Sequence, residues 1–185
     1  SVESTGIAAM AYRALREHLG LDVHERVQVS DVFQMLADVG CEILDRLRID
    51  TVGVPMLNLS FGAHYGKWRP WRLFDGTQVQ IPLDFNLVGD GMGGYLALDE
   101  DLPVARMPKD GFYFDTIEDV DGLKARIRGR HSLQGTRPDP KTSRYQRLTD
   151  AELAFVQKQA EDLYDGTDKA LMGNPHLNIT EIGSF

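Results

Sequence analysis

The residues able to do chemistry fall in two short polar runs, each directly after an apolar stretch. The first is Asn58, Ser60, His64 and Tyr65, at the end of RIDTVGVPMLNLS and just past it; the second is Asn174, His176 and Asn178, behind KALMG. An imidazole can exchange a proton near neutral pH, while amide, hydroxyl and phenol groups orient polar ligands. His64, close to Tyr65 and Trp68, can hydrogen-bond a substrate or stack beside one, and a loop histidine in water explains it as well. His176 has similar geometry, strengthened by Asn174 and Asn178 and weakened by the lack of an acid directly beside it. The expected substrate-binding set is therefore Asn58, His64, Tyr65, Asn174 and His176, and no catalytic residue is assigned. Glu181, near a strand end, is the one carboxylate to watch. Asp99, Glu100 and Asp101 read as turn residues, because acid–base work needs a concave, partly dry setting.

Other reactive or aromatic residues read as structural. Trp68, Trp71 and Phe74 could line a pocket but fit the packed face of a hairpin better. His18, His24 and His131 sit on or just beyond helical surfaces and read as solvated. Cys41 is the only cysteine, which excludes an intramolecular disulfide and any multi-cysteine metal site built by this chain alone. Its place inside a helix predicts a small core residue, so no metal ligand is assigned. A reducing, cytoplasmic setting fits this cysteine usage. No apolar run approaches the length of a membrane span, and no signal peptide opens the chain. The net charge of -8 argues against a nucleic-acid surface, and the basic run from Lys124 to His131 reads as a solvated segment.

These residues need elements to position them. The 185 residues, 42% hydrophobic and 26% charged, suit one globular domain. A helix is predicted from N-cap candidates Ser4 and Thr5 to a stop at Gly20, with Ile7, Met10, Ala11, Ala14, Leu15 and Leu19 inward. A second is predicted from Ser30 to Arg48, with Val32, Met35, Leu36, Val39, Ile43, Leu44 and Leu47 as its stripe. It leads into a strand, Val52 to Leu57, that reads as buried on both faces. From Trp68 to Asp115 the period becomes two. One hairpin turns at Asp75–Gly76 and another around Asp99 to Asp101, with the glycine-rich Gly89–Gly94 as a flexible turn between them. Gly135 to Gln146 reads as an irregular connection. Thr149 and Glu152 have capping-box spacing ahead of a helix ending at Gly166, with Leu153, Val156, Ala160 and Leu163 inward, and KALMG follows as a second parallel strand. This is α/β order with a right-handed crossover. Two parallel strands are few for a stable sheet, so the chain is expected to be a fragment, or a partly ordered copy, of a longer protein.

STGIAAMAYRALREHLGL, RVQVSDVFQMLADVGCEILDRLRIDTVGV, PWRLFDGT, PVARMPKDGFYFD and TDKALMGNP with EIGSF occur in that order along the chain. Together they resemble the front half of the uroporphyrinogen decarboxylase superfamily, above all its decarboxylase-like and corrinoid-linked methyltransferase subgroup. The resemblance implies part of a TIM-type (β/α)8 barrel in one domain over residues 1–185, with a β-hairpin insertion at about 66–115. It places the functional groups at the carboxyl ends of the strands. True decarboxylases carry an arginine-rich segment after the first strand, where this chain reads STGIAAMAY and has no arginine until Arg13. Their essential aspartate after the second strand falls on Leu57, which cannot neutralise the charge that develops on a protonated pyrrole ring. The methyltransferase branch uses zinc held by a His and two Cys in the later half of the barrel, outside this chain. The resemblance thus implies no cofactor on this segment alone, zinc through residues elsewhere, and a corrinoid carried by a partner protein. The leading expectation is a corrinoid-linked methyltransferase or demethylase acting on a small methyl donor. The alternatives are uroporphyrinogen decarboxylase or a related decarboxylase of tetrapyrrole metabolism, with a porphyrinogen-like substrate, and a non-catalytic binding or assembly protein. A homodimer is implied, with neither nucleic acid nor membrane as partner.

Overall fold

Two periods compete along this sequence, and the strand period wins over more of it than the helical stripes suggest. The computed structural model describes residues 6–22, 26–99, 101–117 and 148–173. Ser4, Thr5, His24, Glu100, Lys124 to His131, Gly135 to Gln146, Asn174, His176, Asn178 and Glu181 lie outside the described residues. What is described is mixed α/β, richer in strand than in helix.

Helix α1 (Ala9–His18) starts at Ala8, whose side chain offers no cap. The chain instead enters it through sheet-like bonds, Ala9 N–H to the Met35 carbonyl and Ala37 N–H to the Ile7 carbonyl. Ala9, Tyr12 and Arg16 are its buried residues, while Ala11 and Ala14, expected inward, are exposed. Gly20, at φ +70°, ends it as expected.

The predicted helix from Ser30 to Arg48 is replaced by a hairpin and a short helix. β1 (Val27–Asp31) buries Val27 and Val29 with period two, and it pairs antiparallel with β2 (Leu36–Ala37). Between them the Asp31 carboxylate accepts the N–H groups of Phe33 and Gln34 at 2.8 and 3.1 Å, and Met35 takes φ +53°. That local side-chain bonding gives the backbone an alternative to a helical turn. Only Cys41–Arg46, α2, is helical, with Ile43 and Leu44 buried beneath it.

The two expected hairpins are present: β4 (Trp68–Arg72) with β5 (Gln78–Pro82), and β7 (Tyr95–Asp99) with β8 (Leu102–Met107). They are not a mere excursion. β5 also pairs parallel with β1, giving a sheet of order β2-β1-β5-β4. β6 (Leu87–Gly89) and β9 (Asp115–Thr116) extend the second hairpin into a sheet of order β6-β7-β8-β9. Val29, Val79 and Ile81 from the first sheet share one core with Ala97, Ala105 and Met107 from the second, and with Phe85 and Phe114. The glycine-rich turn expected to be flexible is fastened by Asp90. Its carboxylate accepts the N–H groups of Met92 and Gly94 and two guanidinium N–H groups of Arg106.

β3 (Thr51–Val54) and β10 (Ala170–Gly173) are parallel, as expected, and form a separate two-stranded sheet. β3 buries only alternate residues, Val52 and Val54, and so corrects the reading of a strand covered on both faces. α3 (Asp150–Gly166) has the expected capping box, with the Thr149 and Glu152 side chains each bonding the other's backbone N–H. None of α3 is fully buried, and Leu153 is exposed.

Phe85 is 1% exposed and lies between the two larger sheets, so truncation should leave a cavity rather than a collapsed surface. Phe85→Ala is expected to cost about 3–5 kcal/mol in urea unfolding at unchanged slope, against about 0.5 kcal/mol or less for the exposed Phe112→Ala. Equal losses would show that the two sheets do not share this core.

Candidate functional site

The chain leaves β3 at Pro55 and makes a tight loop. Leu59 N–H donates to the Ala63 carbonyl and Tyr65 N–H to the Leu57 carbonyl, both at 2.8 Å, with Asn58 and His64 bridged between those pairs. The bridge sets Asn58 opposite His64, and Asn58 and Tyr65 both reach the first turns of α3, at Glu152 and Phe155.

Each of the three holds a carboxylate from a different part of the chain. Asn58 Nδ2 donates to Glu152 Oε1 at 2.6 Å, linking the loop to the first turn of α3. His64 engages Asp84, just past β5, with Nδ1 2.8 Å from Oδ2 and its backbone N–H 3.1 Å from Oδ1. Burial alone would raise the Asp84 carboxyl, but these hydrogen bonds outweigh it and hold the group below the usual carboxylate range. The capping box does the same for Glu152, chiefly through the backbone N–H of Thr149. Tyr65 donates its phenol proton to Asp38 Oδ2 at 2.7 Å and packs edge-on against Trp68 and Phe155, with centroids 5.1 and 6.0 Å away.

Tyr65 lines a cavity of about 420 Å³ between α1, the β1–β2 hairpin, α2, β3 and α3. Its polar groups include Tyr12, Arg16, Arg26, Asp38, Cys41 and Glu42. Arg16 is almost fully buried, with Nε donating to the Asp22 carbonyl and a terminal nitrogen 3.5 Å from Glu42. The Tyr12 hydroxyl accepts the N–H of Gly40. Cys41 is not the core residue expected from its sequence neighbours. It is exposed at the first position of α2, because the helix starts there instead of eleven residues earlier. The cavity's size is that of small-molecule sites, and its paired charges suit a polar ligand.

Ser60 is exposed and points to no partner among the described residues, and Leu57 is partly buried. Trp71 and Phe74 pack on Tyr95, as a hairpin face does. Among the described residues, no three His, Cys, Asp or Glu side chains converge to hold a metal ion. No described helix is long and apolar enough to cross a membrane. Sequence reasoning missed Asp84, although QVQIPLD is also an apolar strand running into a polar residue, the signal that selected Asn58. It missed Arg16 and Asp38 because only folding brings α1 and the β1–β2 hairpin against β3. No family model, curated protein or solved structure matches this chain.

Burial comes first among the causes that push the Tyr65 phenol well above the ordinary tyrosine value, followed by the charge of Asp38 and the hydrogen bond to it. A group that holds its proton more tightly when folded stabilises the fold below its unfolded value and loses that contribution as pH rises. Stability should therefore decline above about pH 10, and Tyr65→Phe should flatten that decline. In an alkaline titration followed by tyrosinate absorbance, one tyrosine fewer should remain un-ionised at high pH in the variant than in the parent.

Proposed function

We propose that β3 and β10 are neighbouring strands of a (β/α)8-type barrel enzyme similar to the uroporphyrinogen decarboxylase superfamily. In this reading the enzyme moves a methyl group between a small methylated compound and a corrinoid carried by a separate protein in the cytoplasm. The observation that supports it best is the parallel pairing of the two strands, residue for residue from Thr51↔Ala170 to Val54↔Gly173. Each strand follows a helix, α2 or α3, and helix-connected parallel neighbours are the repeating unit of such barrels. The loop bearing Asn58, His64 and Tyr65 leaves the carboxyl end of β3, where barrel enzymes keep their chemistry.

Methyl transfer is preferred to decarboxylation because of Leu57. The position where the resemblance demands an aspartate holds an apolar side chain whose carbonyl is already taken by Tyr65 N–H. The described residues do not fit a zinc ion, so the reading leaves zinc to ligands elsewhere in the protein and draws no step through it. Decarboxylation remains the second reading on one observation. Glu152 brings an ionised carboxylate to Asn58, the residue after Leu57, and could offset positive charge on a substrate ring there.

The two are separated by assaying the protein as encoded in full with methylcobalamin plus a thiol acceptor, and in parallel with uroporphyrinogen. Thiol-dependent loss of methylcobalamin absorbance, retained in Glu152→Gln, is the expected result. Carbon dioxide release from uroporphyrinogen that disappears in Glu152→Gln would favour the second reading. Inactivity in both assays, with ligands still perturbing the spectrum of Tyr65, would leave a non-catalytic binding protein.

A further inference from the structure

Both oxygens of Asp84 are occupied by a single residue. The backbone N–H of His64 fixes Oδ1 while the His64 ring faces Oδ2 through Nδ1. An ionised carboxylate has no proton to give, so the hydrogen in the 2.8 Å contact must sit on Nδ1. In the neutral ring the other nitrogen, Nε2, then carries the lone pair. The backbone bond holds the carboxylate in register with the imidazole, so the ring cannot turn without breaking the contact at Oδ2. The ring is 52% exposed. Asn58 lies opposite His64 in the bridge, and its amide nitrogen is engaged by Glu152. Among the described residues, the charged group in contact with the ring is Asp84.

We propose that His64 is a general base whose Nε2 removes the proton of a hydroxyl or thiol on the bound substrate, with Asp84 as its positioning residue. The O–H or S–H bond breaks, its electron pair stays on oxygen or sulfur as the nucleophile forms, and the proton moves to Nε2. The resulting imidazolium lies against the Asp84 carboxylate, which offsets its charge, and the proton then passes to water. This role rests on the barrel reading only for the substrate it would serve; the base itself can be tested without a corrinoid or a porphyrinogen.

The probe is p-nitrophenyl acetate, added to the 185-residue chain. Nε2 takes a proton from water as the water oxygen attacks the acetyl carbon, the ester C–O bond breaks to release p-nitrophenolate, and acetate and the two protons leave to solvent. The chain has five histidines, so if all reacted alike His64→Gln would keep four of five shares and lose one fifth of the rate. An oriented base predicts a loss of about twofold or more. Nitrogen-15 NMR of the imidazoles should show His64 protonated at Nδ1 in the parent chain and mainly at Nε2 in Asp84→Asn, with Asp84→Glu restoring both tautomer and rate. A loss of one fifth or less in His64→Gln overturns the proposal. So does an Nε2-protonated His64 in the unaltered chain, a measurement that needs no variant to fold.

Discussion

The placement of Phe61 is the constraint on which the rest depends. It sits in the three-residue 3-10 turn Ser60–Gly62 at φ 60° and ψ 37°, a left-handed conformation that costs a residue with a side chain about 1–2 kcal/mol. Its ring lies 5.7 Å from Phe33 and 6.1 Å from both Phe85 and Phe114, centroid to centroid. Aromatic pairs of this kind contribute about 0.5–1.5 kcal/mol each beyond their area, so three of them offset the strain. The partners come from the β1–β2 turn, the end of β5 and the approach to β9. One side chain therefore ties the loop after β3 to both four-stranded sheets, and the N–H of Phe114 on the Phe33 carbonyl at 2.9 Å closes the same junction.

Holding Phe61 at the tip fixes the neck of the loop. With Leu59 bonded to Ala63 and Leu57 to Tyr65, Asn58 and His64 are held opposite each other. The polar groups are then shared out by geometry. Tyr65 takes Asp38 at the cavity, His64 takes Asp84, and Asn58 takes Glu152. An apolar packing event thus determines which acid each functional group meets.

The sequence made the period-two hairpins, the capping box of α3 and the parallel character of β3 and β10 legible, because each is written in local pattern or cap chemistry. The failure at Ser30–Arg48 has a physical cause. Val32, Met35, Leu36 and Val39 satisfy a helical stripe, and in the fold Val32, Met35 and Leu36 are indeed buried, but in a turn and a strand. What distinguishes the two is Asp31 bonding forward to Phe33 and Gln34, and the partner strand β5, which lies some fifty residues away. That error carried Cys41 into a helix interior when it belongs at a helix start. For the site, the rule of polar residues after an apolar strand selected Asn58, His64 and Tyr65 as candidates. Their carboxylate partners were not legible, since Asp38, Asp84 and Glu152 are 27, 20 and 94 residues from the groups they bind.

The β3–β10 sheet and α3 are attached to this frame by few groups. Among the described residues, Lys169 meets Asp45 of α2 at 2.6 Å, Phe155 packs on Tyr65, and Asn58 reaches Glu152. α3 buries no residue fully, whereas the two larger sheets bury most of the core. Local opening follows buried contact, so α3 with β10 should be the first part to separate and the loop after β3 among the last. Two of these attachments run through loop residues, Asn58 and Tyr65. A ligand that drew Asn58 off Glu152 or shifted Tyr65 would therefore loosen α3, and a ligand that kept both in place would hold it. The loop can couple occupancy at the carboxyl end of β3 to the docking of its parallel neighbour, because its own position is secured elsewhere, by Phe61.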